Sequence, residues 1–113
     1  MNPADVVLAQ FPLAGSGGRK LRPVLVLTGP LGSVPEYVVA YISSVIPADL
    51  LPTDLTVDPT TPEFKSTNLK ATSLLRVHKL STIHGRDAIR RLGQIAAPAF
   101  FEVQARLRIV FEL

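Results

Sequence analysis

Residues 5–27, DVVLAQFPLAGSGGRKLRPVLVL, set two short apolar runs on either side of a glycine-rich cationic segment. The runs are β-branched and apolar, Pro12 stops the first and Pro23 opens the second, so the pattern predicts two strands joined by a loop. The loop is Gly15-Ser16-Gly17-Gly18-Arg19-Lys20-Leu21-Arg22. It holds every positive charge of the first 64 residues: Arg19, Lys20 and Arg22. Glycines let backbone N–H groups turn toward an anion, and a guanidinium can grip a phosphate, so the segment suits an anion site. An ordinary hairpin loop kept soluble by its charges fits the same residues.

The remainder reads as mostly β. Residues 23–28 are nearly all apolar, as expected of a central strand buried on both faces. A Gly-Pro-Leu-Gly-Ser turn follows, then a third strand over 37–44, ended by Pro47. Residues 45–63 contain four prolines, Pro47, Pro52, Pro59 and Pro62, and read as loop around a short strand at 54–58. Residues 65–69 are irregular, 73–83 form a long strand with room for a bulge, and 91–96 a short final strand. Residues 98–113 give the one helix. Pro98 suits its first turn, and Phe100, Val103, Leu107, Val110 and Phe111 fall near a 3–4 spacing opposite Glu102, Arg106 and Glu112. Short strands, coil-rich connections and a terminal helix predict a mainly β domain, a small half-open barrel spanning residues 1–113.

Composition narrows the function. A chain of 113 residues with 47% hydrophobic and 19% charged residues is expected to be one globular domain. No apolar run reaches the ~18 residues that span a bilayer, and no basic n-region precedes an h-region, so neither membrane nor signal peptide is expected. There is no cysteine, hence no disulfide framework and no thiolate metal site. Two histidines, His78 and His84, are a poor basis for zinc. A cytoplasmic protein without metal or cofactor is the expectation. The charge is uneven. Residues 1–64 carry three cations against six acids, a balance of −3, and residues 65–113 carry nine against three, a balance of +6. This favours an anionic partner in a defined groove. Aromatic content of 6% argues against extended base stacking.

Four positions stand out as candidates for chemistry. Arg22 directly precedes a strand, so rigid backbone holds it. Ser43, with Ser44, ends an apolar strand. Arg76 and His78 are two apart in a strand and project from one face; Lys79 adjoins them. His is a natural proton-transfer group, and Arg can neutralise charge that develops on a phosphorane-like transition state. A polar, exposed sheet face accounts for the same spacing. No Walker loop, GxGxxG or Ser/His/Asp pattern is present.

These residues carry a resemblance. DVVLAQFPLAGSG…RPVLVL, VVAYIS at 38–43 and LLRVHKLSTI at 74–83 resemble three strands of the MazF/PemK/Kid family of toxin endoribonucleases from bacterial toxin–antitoxin pairs. The resemblance implies an SH3-like barrel of the CcdB/MazF/Kid type that forms a homodimer, with RNA across the dimer groove. It implies that Arg22 is the catalytic arginine before proline, Ser43 the active-site Thr/Ser and Arg76 a catalytic arginine of the Kid branch. His78 stands where that branch has an acidic residue. Ser16 matches the loop Ser/His that handles substrate; with Gly17, Arg19, Lys20 and Lys79 it makes up the expected substrate-binding set. The chain departs from the family in having Gly17-Gly18 for Glu-Gln, His78 and Lys79 at acidic or amide positions, and Ser81 for a late arginine.

The implied activity is metal-independent cleavage of single-stranded RNA. The ribose 2′-OH attacks the adjacent phosphate and leaves a 2′,3′-cyclic phosphate and a 5′-OH. DNA lacks that hydroxyl and could be bound but not cut. The implied partners are RNA, a cognate antitoxin with an acidic extended segment, a second copy of the chain and, for the toxin–antitoxin complex, operator DNA. Two other classes remain open: a non-catalytic nucleic-acid-binding module and a CcdB-like gyrase-directed toxin.

Overall fold

The strands form in the expected order and are held by backbone ladders. In the computed structural model, which describes residues 1–12 and 19–113 and gives Arg19 by its main chain, the elements are β1 (Asp5–Pro12), β2 (Arg19–Val26), β3 (Glu36–Ser43), β4 (Asp54–Val57), β5 (Ser73–His84), β6 (Ala88–Gln94) and α1 (Ala97–Phe111). Short 3-10 turns occupy Lys65–Thr67 and Gly85–Asp87. Every strand pairing is antiparallel, and the six strands run β4-β5-β3-β2-β1-β6. The edge strands β4 and β6 do not pair with each other, so the barrel is half open.

Both faces of this sheet bury apolar side chains, which is why β1 and the second half of β2, from Pro23 to Val26, read as near-continuous apolar runs rather than alternating ones. One face sends Val6, Leu25, Ala40, Ile42, Leu75 and Val77 against Ala99 and Val103 of α1. The opposite face gathers Val7, Ala9, Phe11, Val24, Val26, Tyr37, Val39 and Ile83. Phe11 stacks on Tyr41 there, with ring centroids 5.2 Å apart.

Three expectations need correction. Arg19 to Arg22 are not loop: they form the first half of β2 and pair with Ala9 to Pro12 of β1. β1 stays extended through Pro12, whose missing N–H is tolerated at a strand end, and the ladder then carries the cationic residues into the sheet. The last strand is Ala88–Gln94, earlier than expected. Gly93 sits where the Ser66 and Thr67 main chain crosses β6 so closely that a Cβ would fall on the Ser66 carbonyl oxygen. Ile95 then leaves the strand for the core. On α1, the apolar and polar sides are less separate than the spacing suggested. Phe111 is exposed, and Arg106, expected on the solvent side, turns inward to the β4 end of the sheet.

Candidate active site

Register places the candidate residues on one face. Cα pairing runs across the sheet as Asp54, Arg76, Tyr41, Val24, Val7 and Arg91, one residue from each strand in turn. Side chains at i and i+2 share a face. Arg22 lies two residues before Val24, and Ser43 two residues after Tyr41, so both stand on that face toward the same end of the antiparallel pair. Arg22 pairs with Ala9, and Lys20 with Phe11. Two arginines 54 positions apart in sequence, Arg22 and Arg76, thus stand on one face of the sheet, on the strands that flank β3.

Arg22 is half-buried, and its Nε is shielded from solvent with no hydrogen-bond partner among the described residues. A buried donor without a partner is costly and rare in a folded protein, and an anion drawn into the groove would satisfy it. Arg76 is oriented differently. Its Nε donates to Asp54 Oδ1 at 3.1 Å and its Nη2 to Asp54 Oδ2 at 3.2 Å, a two-point fork onto a carboxylate with no exposed surface.

β5 bulges next to Arg76. Ala40 faces Leu80 while Tyr41 faces Arg76, so Val77, His78 and Lys79 are extra residues on β5 against a single step of β3. Val77 turns into the α1-facing core, and His78 and Lys79 stay exposed. The Lys79 ammonium lies 5.9 Å from the centroid of the Tyr41 ring, a cation–π contact. His78 sits within the fields of Arg76 and Asp54. Partial burial and the Arg76 charge, with Lys79, hold its imidazole below the usual 6.5 despite the opposing pull of Asp54. The imidazole is therefore neutral near pH 7 and able to accept a proton.

The Ser43 hydroxyl is engaged locally. It donates to the Val45 carbonyl at 2.9 Å and accepts from the Val45 N–H at 3.1 Å, closing the turn that follows β3. The side chain is buried at the edge of the site rather than open to it. Ser16 and Gly17 lie outside the described residues. Lys20 is exposed on β2, and Arg19 opens that strand.

Asp54 is the site residue that sequence reasoning missed. In sequence it is one acid at the head of a short strand, and only the β4–β5 register reveals its arginine partner. Tyr41 and Arg106 went unnoticed as site residues for the same reason. Among the described residues, no group of three or more His, Cys, Asp or Glu side chains is placed to hold a metal ion.

The family model for the PemK-like, MazF-like toxin of type II toxin–antitoxin systems matches residues 2–111. Solved structures share the fold. The Mycobacterium tuberculosis toxin MazF-mt6 superposes with a TM-score of 0.72 at 24% identity, over 96% of this chain and 97% of that one. MazF from Deinococcus radiodurans gives 0.72 at 18% identity, over 100% and 97%. An endoribonuclease in complex with its cognate antitoxin, from a mycobacterial species, gives 0.72 at 14% identity, over 100% and 96%. No curated protein sequence matches the chain.

Proposed function

Starting from the fact that this chain belongs to the PemK-like, MazF-like toxins of type II toxin–antitoxin systems, we propose that it is a metal-independent endoribonuclease acting on single-stranded RNA. The observation that carries the reading is the placement of Arg22 and Arg76 on one sheet face, with Arg22 Nε buried and unpartnered among the described residues. Two guanidiniums can hold a phosphodiester and neutralise the charge that grows on its non-bridging oxygens. His78 accepts the proton of the ribose 2′-OH as that oxygen bonds to phosphorus; the bond to the 5′-oxygen breaks, and the 5′-oxygen leaves with a proton taken from water, whose hydroxide is neutralised by the proton His78 then releases. The products are a 2′,3′-cyclic phosphate and a 5′-OH. All of this is side-chain and water chemistry and calls for no Lewis acid. Lys20 and Lys79 border the same face and steer the backbone of the strand, and Arg19 at the start of β2, with Ser16 and Gly17 before it in sequence, completes the substrate-binding set. Ser43 fixes the turn beside Arg22.

The solved neighbours include an endoribonuclease in complex with its cognate antitoxin and MazE-MazF from Deinococcus radiodurans. By extension, this toxin is held inactive by an antitoxin whose acidic extended segment occupies the cationic face, and it works as a cytoplasmic homodimer. Operator DNA would be bound by the toxin–antitoxin complex.

The test is cleavage of a long single-stranded RNA in the presence of EDTA, with analysis of the new ends, by wild type and by Arg22→Ala. Wild type should yield 5′-OH and cyclic-phosphate ends. Arg22→Ala should fold and lose at least ~100-fold in rate, the scale of one lost charge stabiliser. Cutting at an unchanged rate by the folded variant removes Arg22 from the mechanism. RNA bound but intact points to a non-catalytic binding module, and inhibition of gyrase without RNA cleavage points to a CcdB-like toxin.

A further inference from the structure

Asp54 is held from three sides. Its carboxylate takes the Arg76 fork from β5 and, at Oδ2, the Leu51 N–H at 2.8 Å from the preceding loop. Its carbonyl accepts Arg106 Nη1 of α1, which also reaches the Pro52 carbonyl at 2.7 Å. The side chain has no exposed surface, whereas Arg76 keeps 18%. A buried ion pair is a weak device for stability, since an apolar pair of similar volume often does as well or better. What a fork onto a fixed carboxylate does supply is direction. A guanidinium has five N–H groups in one plane. Two of Arg76's point at Asp54, and the other three point away from it.

We propose that Asp54 is a positioning residue of the cleavage site: it locks the Nε edge of Arg76 so that the remaining N–H groups meet the substrate phosphate, and it keeps a negative charge beside His78. This rests on the endoribonuclease reading above. The charged groups acting on His78 are Asp54 from β4 and Arg76 and Lys79 from its own strand; Arg106 of α1 is spent on the Pro52 and Asp54 carbonyls. Of these charges only Asp54 favours the imidazolium. Removing it must therefore make His78 harder to protonate, which no loss of packing alone would do.

The experiment compares wild type with Asp54→Asn by NMR titration of the His78 imidazole, assigned with His78→Gln, and by the pH dependence of RNA cleavage. In Asp54→Asn the His78 midpoint should move to lower pH. The acidic limb of the rate profile should move by the same amount, and kcat should fall ~10-fold or more with KM changed less, as expected when a transition-state contact loses its aim. A folded Asp54→Asn whose His78 midpoint and acidic limb stay in place overturns the proposal, as does a loss of rate that is equal at every pH. If Asp54→Asn does not fold, wild type decides: Arg76 Nε–H should exchange with solvent more slowly than the Nε–H of exposed Arg86 or Arg90, and equal exchange overturns the clamp. Wild type that cuts no RNA removes the endoribonuclease reading itself, an outcome distinct from a cutting wild type with an unmoved limb.

Discussion

At the scale of residues, the question is the protonation of His78. A base works in its neutral form. Burial and the Arg76 charge hold the imidazole below 6.5, so activity should be full near neutrality and fall as pH drops through a midpoint below that value. His78→Gln keeps a polar side chain but cannot titrate. Its rate should be lower near neutrality, and the acidic limb should vanish. A limb that persists in His78→Gln assigns the proton transfer to another group. The sequence supplied both partners of the site by residue type, Arg76 and His78, from their two-residue spacing. It gave no sign of Asp54, because a cross-strand partner 22 positions away leaves no local pattern.

At the scale of elements, the β5 bulge does what a straight strand could not. Leu75 and Val77 alternate onto the α1-facing core as a straight strand would; the three extra residues against one step of β3 switch the alternation beyond them, so that Leu80 also packs on that core and Ile83 on the opposite face, while His78 and Lys79 stay exposed beside Arg76. β6 depends on a different local condition. Gly93 is crossed by the Ser66–Thr67 main chain, and Ser66 and Asn68 fasten that segment to β6 through the carbonyls of Gln94 and Leu92, at 2.6 and 2.7 Å. The obstacle to a larger residue is backbone, which cannot swing aside as a side-chain tip can. Gly93→Ala should therefore cost about 1–3 kcal/mol, the range of overpacked cores, read as a lower urea midpoint with little change in m. A variant as stable as wild type would mean that the crossing relaxes freely. Arg106 shows why helix periodicity alone misplaced a residue. Its long stem reaches the β4 end, where two carbonyls accept from it, and only its bond to Glu102 follows the i, i+4 pattern visible in sequence.

For the whole molecule, the uneven charge acquires a location. Arg22, Lys20, Arg76 and Lys79 border one sheet face, and of these only Arg76 is paired with a carboxylate among the described residues. No helix of the described residues is long and apolar enough to cross a membrane. Several large apolar side chains are nevertheless exposed on α1 and the chain end, including Phe101 at 70% and Leu113 at 86%. Such a surface on one chain suits burial against another. A homodimer is expected, with scattering or sedimentation at micromolar concentration giving about twice the 12.2 kDa chain mass. A stable monomer that still cuts RNA would count against a shared groove.

Sequence by itself determined the class of fold, the succession of strands along the chain, the terminal helix with Pro98 in its first turn and the cations that an anionic substrate would meet. Those follow from local rules: apolar runs of strand length, proline and glycine as punctuation, and charge that stands out by its type. Tertiary structure decided the extension of β2 back to Arg19, the position of the expected β5 bulge at Val77 to Lys79, and the clamp of Asp54 on Arg76. Each of these is a pairing between distant segments. Register is set by which faces the whole sheet buries, so a residue's partner is fixed only once every strand has taken its place.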